Sequence, residues 1–172
     1  VWAQGYIGQG VVIGGADTGY EWFHPAIKNQ YRGWDGATES HDYNWYDATA
    51  VHSPTPVDPY GHGTHTMGIM VGDDGGTNQI GMAPGARWIG CRNMDVTGYG
   101  TPETYIACYQ WFLAPTQVDG VSDPRPDLAP DVINNSWACL VSEGCTEPNV
   151  LLLAVQNVRA AGSLTTHSAG NN

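Results

Sequence analysis

Short apolar runs that stop at polar or small residues recur along the chain, and they predict buried β-strands. The first run is GVVIGGA at 10–16, which stops at Asp17; its unbroken apolar character fits a strand covered on both faces. ARWIGC at 86–91 and DVINNS at 131–136 predict two more strands. A weaker prediction falls on SLTTHSA at 163–169, which is polar for a buried strand.

Helical patterns lie between these strands. Residues 62–71 predict one helix, and residues 101–114 predict another, because Thr101 suits an N-cap and Pro102 suits a first turn. The clearest helix is predicted at 148–162, where apolar side chains repeat at helical spacing. Its apolar face is assigned to Leu151, Leu152, Val155 and Val158, with Gly162 as the C-cap.

The alternation of strands and helices predicts βαβ units, and therefore an α/β fold with a mostly parallel sheet flanked by helices. A length of 172 residues suits a single domain over 1–172. Two stretches without helical or strand periodicity, at 33–59 and 115–130, are predicted to be long surface loops.

Parallel sheets of this kind bind their ligands beyond the carboxyl ends of the strands. That edge of the sheet is therefore the predicted functional site. It should hold Asp17, the segment after Cys91, Ser136–Ala138 and Gly170–Asn172.

Charge and hydropathy exclude some classes of partner. The formal net charge is −11, from 17 acidic residues against six basic ones, and Lys28 is the one lysine. Because no basic surface is available to neutralise phosphates, nucleic acid is not expected as a partner.

No apolar run reaches the length of a membrane span, and VWAQGYIGQG lacks the basic start and apolar stretch of a signal peptide. We therefore expect a mature or excised chain that does not enter a membrane.

The four cysteines indicate an oxidising, extracellular environment. Cys139 and Cys145 lie six residues apart, and Cys91 and Cys108 form the other plausible pair. Sequence alone leaves all three connectivities open. The absence of a Cys-x-x-Cys pair disfavours a zinc ribbon.

The segment GHGTHT presents His62 and His65 at the start of the predicted helix. Each side chain could be a metal ligand, a general base or a hydrogen-bonded structural residue. The positive end of the helix dipole should lower the pKa of His62 and keep it neutral, as a general base must be. The common helical zinc motif differs, because its histidines are four apart with a glutamate between them.

Asp17 stands in Asp-Thr-Gly, which is often only a turn. The same three letters occur in aspartic proteases, whose chemistry needs two carboxylates. This chain has one such segment, so that mechanism would require a homodimer.

Six motifs of the chain stand in an order that resembles the subtilisin-like serine proteases, or subtilases. The motifs are VVIGGADTG, HPAI, GHGTHTMGIMVG, IGMAPGA, DVINNSW and SAGN. The resemblance covers nearly the whole chain, with inserts at 33–59 and 115–130. It implies a three-layer α/β sandwich and hydrolysis of peptide bonds through an acyl-enzyme.

The resemblance also implies roles for individual residues. Asp17 would orient the imidazole of His62, His62 would be the general base, and Asn171 would donate to the oxyanion. His65 would support the helix from inside the fold. The implied substrate-binding residues are Gly98, Tyr99, Gly100, Ser136, Trp137, Ala138, Ala169 and Gly170.

One departure from the family is serious. The Gly-Thr-Ser-Met-Ala segment that carries the nucleophilic serine does not occur in these residues. We therefore expect the N-terminal part of a secreted catalytic domain, unstable by itself, whose remainder lies on a missing C-terminal segment or a second chain. Two alternatives remain: an incomplete fold that only binds peptide, and a metal-dependent hydrolase that uses His62 and His65.

The resemblance implies no cofactor for the chemistry, but structural calcium is a further expectation. Ala26 stands where many relatives have a calcium-binding aspartate. Asp73 and Asp74 in the following loop could bind a cation with help from carbonyl groups, although a solvated turn is the simpler interpretation.

Overall fold

A computed structural model describes residues 1–171 and shows a five-stranded sheet in which every neighbouring pair of strands is parallel. The strand order is β2-β3-β1-β4-β5. The strands are β1 (Val12–Asp17), β2 (Trp45–Asp47), β3 (Arg87–Arg92), β4 (Val132–Asn135) and β5 (Leu164–His167). This arrangement confirms the predicted α/β fold with a parallel sheet.

Four α-helices accompany the sheet in residues 1–171: α1 (Pro25–Lys28), α2 (His62–Val71), α3 (Pro102–Leu113) and α4 (Leu152–Ala160). Short 3₁₀ turns occur at Trp2–Gln4, Pro126–Leu128 and Val141–Glu143. None of the helices in the described part of the chain has the length and apolar character needed to cross a membrane.

The sheet is packed on both faces, and β1 lies at its centre. On one face, Ile13 packs in a cluster with Met67 of α2 and Trp88 of β3. On the other face, Ile89 packs with Phe112 of α3 in a second cluster. Alternate side chains of β3 therefore enter opposite cores, as the two-residue period of a strand requires.

Two glycines in β1 allow the helical layers to approach the sheet closely. A Cβ on Gly14 would lie 2.9 Å from the ring of Phe112, and a Cβ on Gly15 would collide with the hydroxyl of Tyr20. The apolar run GVVIGGA is thus a strand whose small residues make room for aromatic side chains on both faces.

The N-terminus of α3 forms as the sequence predicts. Thr101 is the N-cap and accepts a hydrogen bond from the backbone N–H of Thr104, and Pro102 occupies the first turn. A disulfide between Cys91 and Cys108 joins β3 to this helix, and a second one links Cys139 to Cys145. The structure therefore selects one of the three possible connectivities.

Three predictions about local structure were wrong in part. The stretch 33–59 contains β2, and the stretch 115–130 contains the 3₁₀ turn Pro126–Leu128. The fourth helix begins at Leu152, since residues 148–151 form turns. Leu152 is 47% exposed, so it does not belong to the apolar face that includes the buried Val158.

The two long loops pack against each other beside the β2 edge. The backbone N–H of Tyr43 donates to the carbonyl of Thr116 at 2.8 Å, and the backbone N–H of Val118 donates to Asp42 at 3.0 Å. At the end of β2, the buried carboxylate of Asp47 pairs with Arg92 of β3 at 3.3 Å. These contacts cover one margin of the sheet with ordered polar structure.

The opposite margin is more open. The edge strand β5 pairs only with β4 among the described strands, and Leu164 is 68% exposed. Leu153 on α4 is exposed to the same extent. An apolar surface of this kind is typical of an interface that another part of a protein covers.

Candidate active site

A groove of about 750 Å³ runs along the carboxyl ends of the strands. Its lining includes His62 at the start of α2, Gly98 and Tyr99 after β3, and the segment Ser136–Ala138 after β4. Gly170 and Asn171, which follow β5, also line it. The edge predicted from the sequence therefore brings most of the candidate residues to one surface, as a parallel sheet should.

Three candidate residues lie beside the groove rather than on its surface. Asp17 is fully buried beneath His62. Gly100 is buried behind Tyr99, where it forms an antiparallel bridge with Met94. Ala169 is exposed next to the groove-lining Gly170. Asn172 lies outside the described residues.

Asp17 and His62 form a hydrogen-bonded pair. The Nδ1 atom of His62 lies 2.7 Å from Oδ1 of Asp17, and the His62 side chain is 40% exposed. Because a carboxylate can only accept hydrogen bonds, Nδ1 carries the proton and Nε2 has the lone pair. The imidazole can then take a proton from a group in the groove.

The environment raises the pKa of His62 above its ordinary value of 6.5. The largest cause is the hydrogen bond to Asp17, and the negative charges of Asp17 and Asp58 add to it, while partial burial acts in the opposite direction. The expectation of a pKa lowered by the helix dipole was therefore wrong in sign. A carboxylate in direct contact outweighs the partial charge of a helix terminus.

Asp58 fixes the start of α2 against the end of β1. Its carboxylate accepts hydrogen bonds from the hydroxyl of Thr18 and the backbone N–H of Gly61, each at 2.8 Å. It also accepts from the backbone N–H of Thr64 at 2.8 Å and from the Thr64 hydroxyl at 2.6 Å. Sequence reasoning missed this residue, because it lies before Gly61, the N-cap of α2, and so outside the usual capping position.

Gly63 lets the helix approach the buried carboxylate. A Cβ at this position would collide with the carbonyl oxygen of Gly19 and lie 3.0 Å from the Cβ of Asp17. The glycine between His62 and Thr64 is thus required by the short distance between α2 and the end of β1.

Glu143 connects the two walls of the groove, and the sequence analysis did not identify it. Its carboxylate accepts from the backbone N–H of Gly100 at 3.2 Å, from the hydroxyl of Tyr105 at 2.8 Å and from the backbone N–H of Leu140 at 2.7 Å. The contacts with Gly100 and Tyr105 have no local signal in the sequence, because they span 43 and 38 residues of chain.

Trp137 contributes to both the groove and the packing beneath it. Its ring stacks on Tyr105 with centroids 4.0 Å apart and planes at 7°, and its Nε1–H donates to the carbonyl of Ala16 at 3.0 Å. His167 contacts the edge of the same indole, and partial burial lowers the pKa of this histidine.

His65 is exposed and lines the groove, so the expectation that it lies inside the fold was wrong. The helix places it one turn beyond His62, on the groove side of α2. Within residues 1–171 no group of three or more His, Cys, Asp or Glu side chains is arranged to hold a metal ion. The pair His62 and His65 therefore has no third His, Cys, Asp or Glu ligand among those residues.

Asp73 and Asp74 form turn hydrogen bonds. Asp73 accepts from the backbone N–H of Gly75 and Asp74 from that of Gly76, each at 2.8 Å. Asp74 also accepts from the Asn78 amide at 2.8 Å. This arrangement fits the solvated-turn interpretation.

Comparison with known proteins shows which family this chain is similar to. The model of the subtilase family matches residues 8–172. Bacillopeptidase F from Bacillus subtilis (strain 168) is 46% identical over 140 residues, which cover 79% of this chain and 10% of that protein. Minor extracellular protease Vpr from the same organism is 32% identical, over 80% of this chain and 16% of the relative.

Subtilisin DY from Bacillus licheniformis is 29% identical over 99% of this chain and 51% of its own length. The chain thus spans about half of this relative and a much smaller part of the other two. The parallel sheet, the buried Asp17 beside His62 and the match over residues 8–172 lead to one conclusion: the chain belongs to the subtilase family.

Proposed function

We propose that this chain forms part of a serine endopeptidase that hydrolyses peptide bonds through an acyl-enzyme. The observation that carries the proposal is the hydrogen bond between buried Asp17 and partly exposed His62 at the edge of the groove. Asp17 holds the imidazole in the tautomer that can accept a proton, and it stabilises the imidazolium that forms. His62 acts as general base towards a serine and later as general acid towards the leaving amine.

The groove supplies the remaining parts of the proposed site. Asn171 is exposed on its lining, where its side-chain amide donates to the oxyanion of the tetrahedral intermediate. An extended polypeptide substrate pairs its backbone between Gly98–Gly100 and Ser136–Ala138, and Ala169 and Gly170 border the reacting carbonyl. The Glu143 contacts support this assignment, because they hold the two walls at a fixed separation.

The nucleophilic serine comes from outside these 172 residues. No Gly-Thr-Ser-Met-Ala segment occurs in the chain, and Ser136 and Ser168 belong to the groove wall, where their neighbours fix them to β4 and Trp137. The serine is carried either by a C-terminal continuation or by a second chain. The chemistry of this site needs no cofactor.

The proposed site of action is extracellular. Two disulfides in a chain of this size suit an oxidising environment, and one relative is named as an extracellular protease. We therefore propose that the protein is secreted.

Covalent labelling tests the proposal directly. The protein that contains this chain is treated with phenylmethylsulfonyl fluoride, and casein hydrolysis and peptide mass maps are recorded. We expect complete loss of activity and one sulfonylated serine in a peptide outside residues 1–172. His62→Ala should abolish both activity and labelling, whereas His24→Ala, on an exposed helix cap, should change neither.

Other outcomes identify the alternatives. Hydrolysis of casein by the 172-residue chain alone would show that the nucleophile lies within these residues. Activity that resists the fluoride but disappears with a chelator would favour the metal-dependent hydrolase. Tight peptide binding without labelling or hydrolysis would favour the alternative in which the fold only binds peptide, and the absence of the serine segment is the observation that keeps this alternative open.

A further inference from the structure

The carboxylate of Asp17 is fully buried, and its two oxygens have different partners. Oδ1 accepts from the backbone N–H of Thr18 and from Nδ1 of His62, each at 2.7 Å. Oδ2 accepts from the hydroxyl of Thr66 at 3.2 Å, and no other donor in residues 1–171 reaches it. Thr66 lies one turn beyond His62 on α2, so one helix supplies a partner to each oxygen.

The hydroxyl of Thr66 has a single proton and two candidate acceptors. The second acceptor is the carbonyl of Gly63, at 2.9 Å, which as a helix carbonyl is also within reach of the backbone N–H four residues ahead. A buried anionic oxygen without a donor costs more free energy than a peptide carbonyl that already has a helical partner. The proton of Thr66 is therefore directed at Asp17.

We propose that Thr66 is a positioning residue for the Asp17–His62 pair: its hydroxyl fixes the plane of the Asp17 carboxylate and thereby the orientation of the His62 imidazole. The proposal rests on the proposed peptidase function, in which His62 is the base. A carboxylate held by its bond to Thr18 on one oxygen and its bond to Thr66 on the other cannot rotate about its Cβ–Cγ bond without losing a charge-assisted hydrogen bond. Thr66 acts through Asp17 and does not itself transfer a proton.

The other groups that face this pair do not replace the hydroxyl. Asp58 approaches from the segment before α2, and its charge acts on His62 in the same direction as that of Asp17. Tyr20 follows β1, and burial and the charges of Asp17 and Asp58 raise its pKa, so its phenol stays neutral. His65 lies on α2 beyond the pair and is exposed.

The test compares Thr66→Val with Thr66→Ser in the active protein that contains this chain. Valine keeps the shape and removes the hydroxyl, whereas serine keeps the hydroxyl. Thr38→Val is the matched control, because the Thr38 hydroxyl donates to the exposed carboxylate of Asp35 at 2.9 Å in the loop at 33–59, outside the groove lining. Values of kcat and KM are measured with a peptide substrate across pH.

For Thr66→Val we expect kcat to fall about tenfold, the size of a lost hydrogen bond to a charged group, with KM unchanged. The acid limb of the kcat/KM profile should move to higher pH. Without the Thr66 hydroxyl, the Asp17 carboxylate stabilises the His62 imidazolium more strongly, and this raises the pKa of His62. Thr66→Ser should restore both quantities, and Thr38→Val should match the wild type.

The proposal would be overturned by a Thr66→Val enzyme with unchanged kcat and pH profile, or by a Thr66→Ser enzyme as impaired as the valine variant. A change confined to KM would also overturn it, because it would make Thr66 a substrate contact. NMR titration of the His62 imidazole separates this proposal from the proposed function. In a protein without peptidase activity, a higher titration midpoint in Thr66→Val than in the wild type would still support the positioning role.

Discussion

The centre of the sheet and its β5 margin differ in how completely they are packed. Around β1 and α2, Asp17, Met67 and Val71 are fully buried, and the carboxylates of Asp17 and Asp58 have several donors each. Around β5 and α4, leucine side chains are exposed, and the groove-lining residues after β5 lie on the surface. The part that orients the imidazole is therefore complete within these residues, whereas the part next to Asn171 leaves room for further structure.

The largest effect is expected at the packed centre of the sheet, for Asp17→Asn. The amide side chain can turn its nitrogen towards His62, which then adopts the wrong tautomer, so kcat/KM should fall by a factor of about 10⁴. Steady-state kinetics of the active protein would show this. The measured unfolding midpoint serves as a control, and a fall of less than tenfold would argue against the role of the pair.

A second prediction compares the loss of stability at a buried position with that at an exposed one. Phe112→Ala removes a fully buried ring that packs against Gly14, so the free energy of unfolding should fall by about 3–5 kcal/mol. Leu153→Ala on the exposed side of α4 should change it by less than about 0.5 kcal/mol. Chemical denaturation of both variants measures the difference, and equal losses would show that the protein covers α4 as fully as α3.

At the open margin, Asn171→Ala should affect chemistry but not stability. The side chain is exposed, so its removal leaves packing intact, yet the oxyanion loses a donor. We expect kcat to fall by about 10²–10³, as for the oxyanion donor of subtilisin, with little change in KM. A normal kcat in Asn171→Ala would show that another group donates the hydrogen bond to the oxyanion.

The smallest predicted effect concerns pH. Because the pKa of His62 is raised above 6.5 by its hydrogen bond to Asp17, the imidazole is protonated, and inactive as a base, up to a higher pH than for a free histidine. Activity should therefore fall, as pH decreases, through a midpoint above 6.5. A profile of kcat/KM against pH with its acid midpoint below that value would contradict the direction assigned here.

The sequence predicted those elements whose cause is local. Apolar runs located β1, β3 and β4, and Thr101 with Pro102 located the start of α3. The strand β2 was missed because its three residues, Trp45–Asp47, carry no periodicity and form a strand only by pairing with β3. Leu152 was assigned to the wrong side of its helix because apolar residues also occupy the exposed side of α4, where Leu152 is 47% and Leu153 68% exposed.

Motif spacing identified Asp17 and His62 as candidates, and the structure brings them into contact. Glu143 and Thr66 could not be found in the same way. Glu143 meets Gly100 across 43 residues of chain and Thr66 meets Asp17 across 49, so both contacts exist only once the sheet has formed. The exposure of His65 likewise depends on which surface of α2 the surrounding elements leave open.

The Asp58 carboxylate has a consequence for how this region could change in evolution. The carbonyl of Val57 accepts the backbone N–H of Tyr20 at 3.0 Å, and Asp58 binds Thr18 next to it. The long loop that precedes these residues is therefore tied to the end of β1 just before α2 begins. Insertions or deletions between β2 and Val57 can alter the outer surface of the protein while the distance between Asp17 and His62 stays constant.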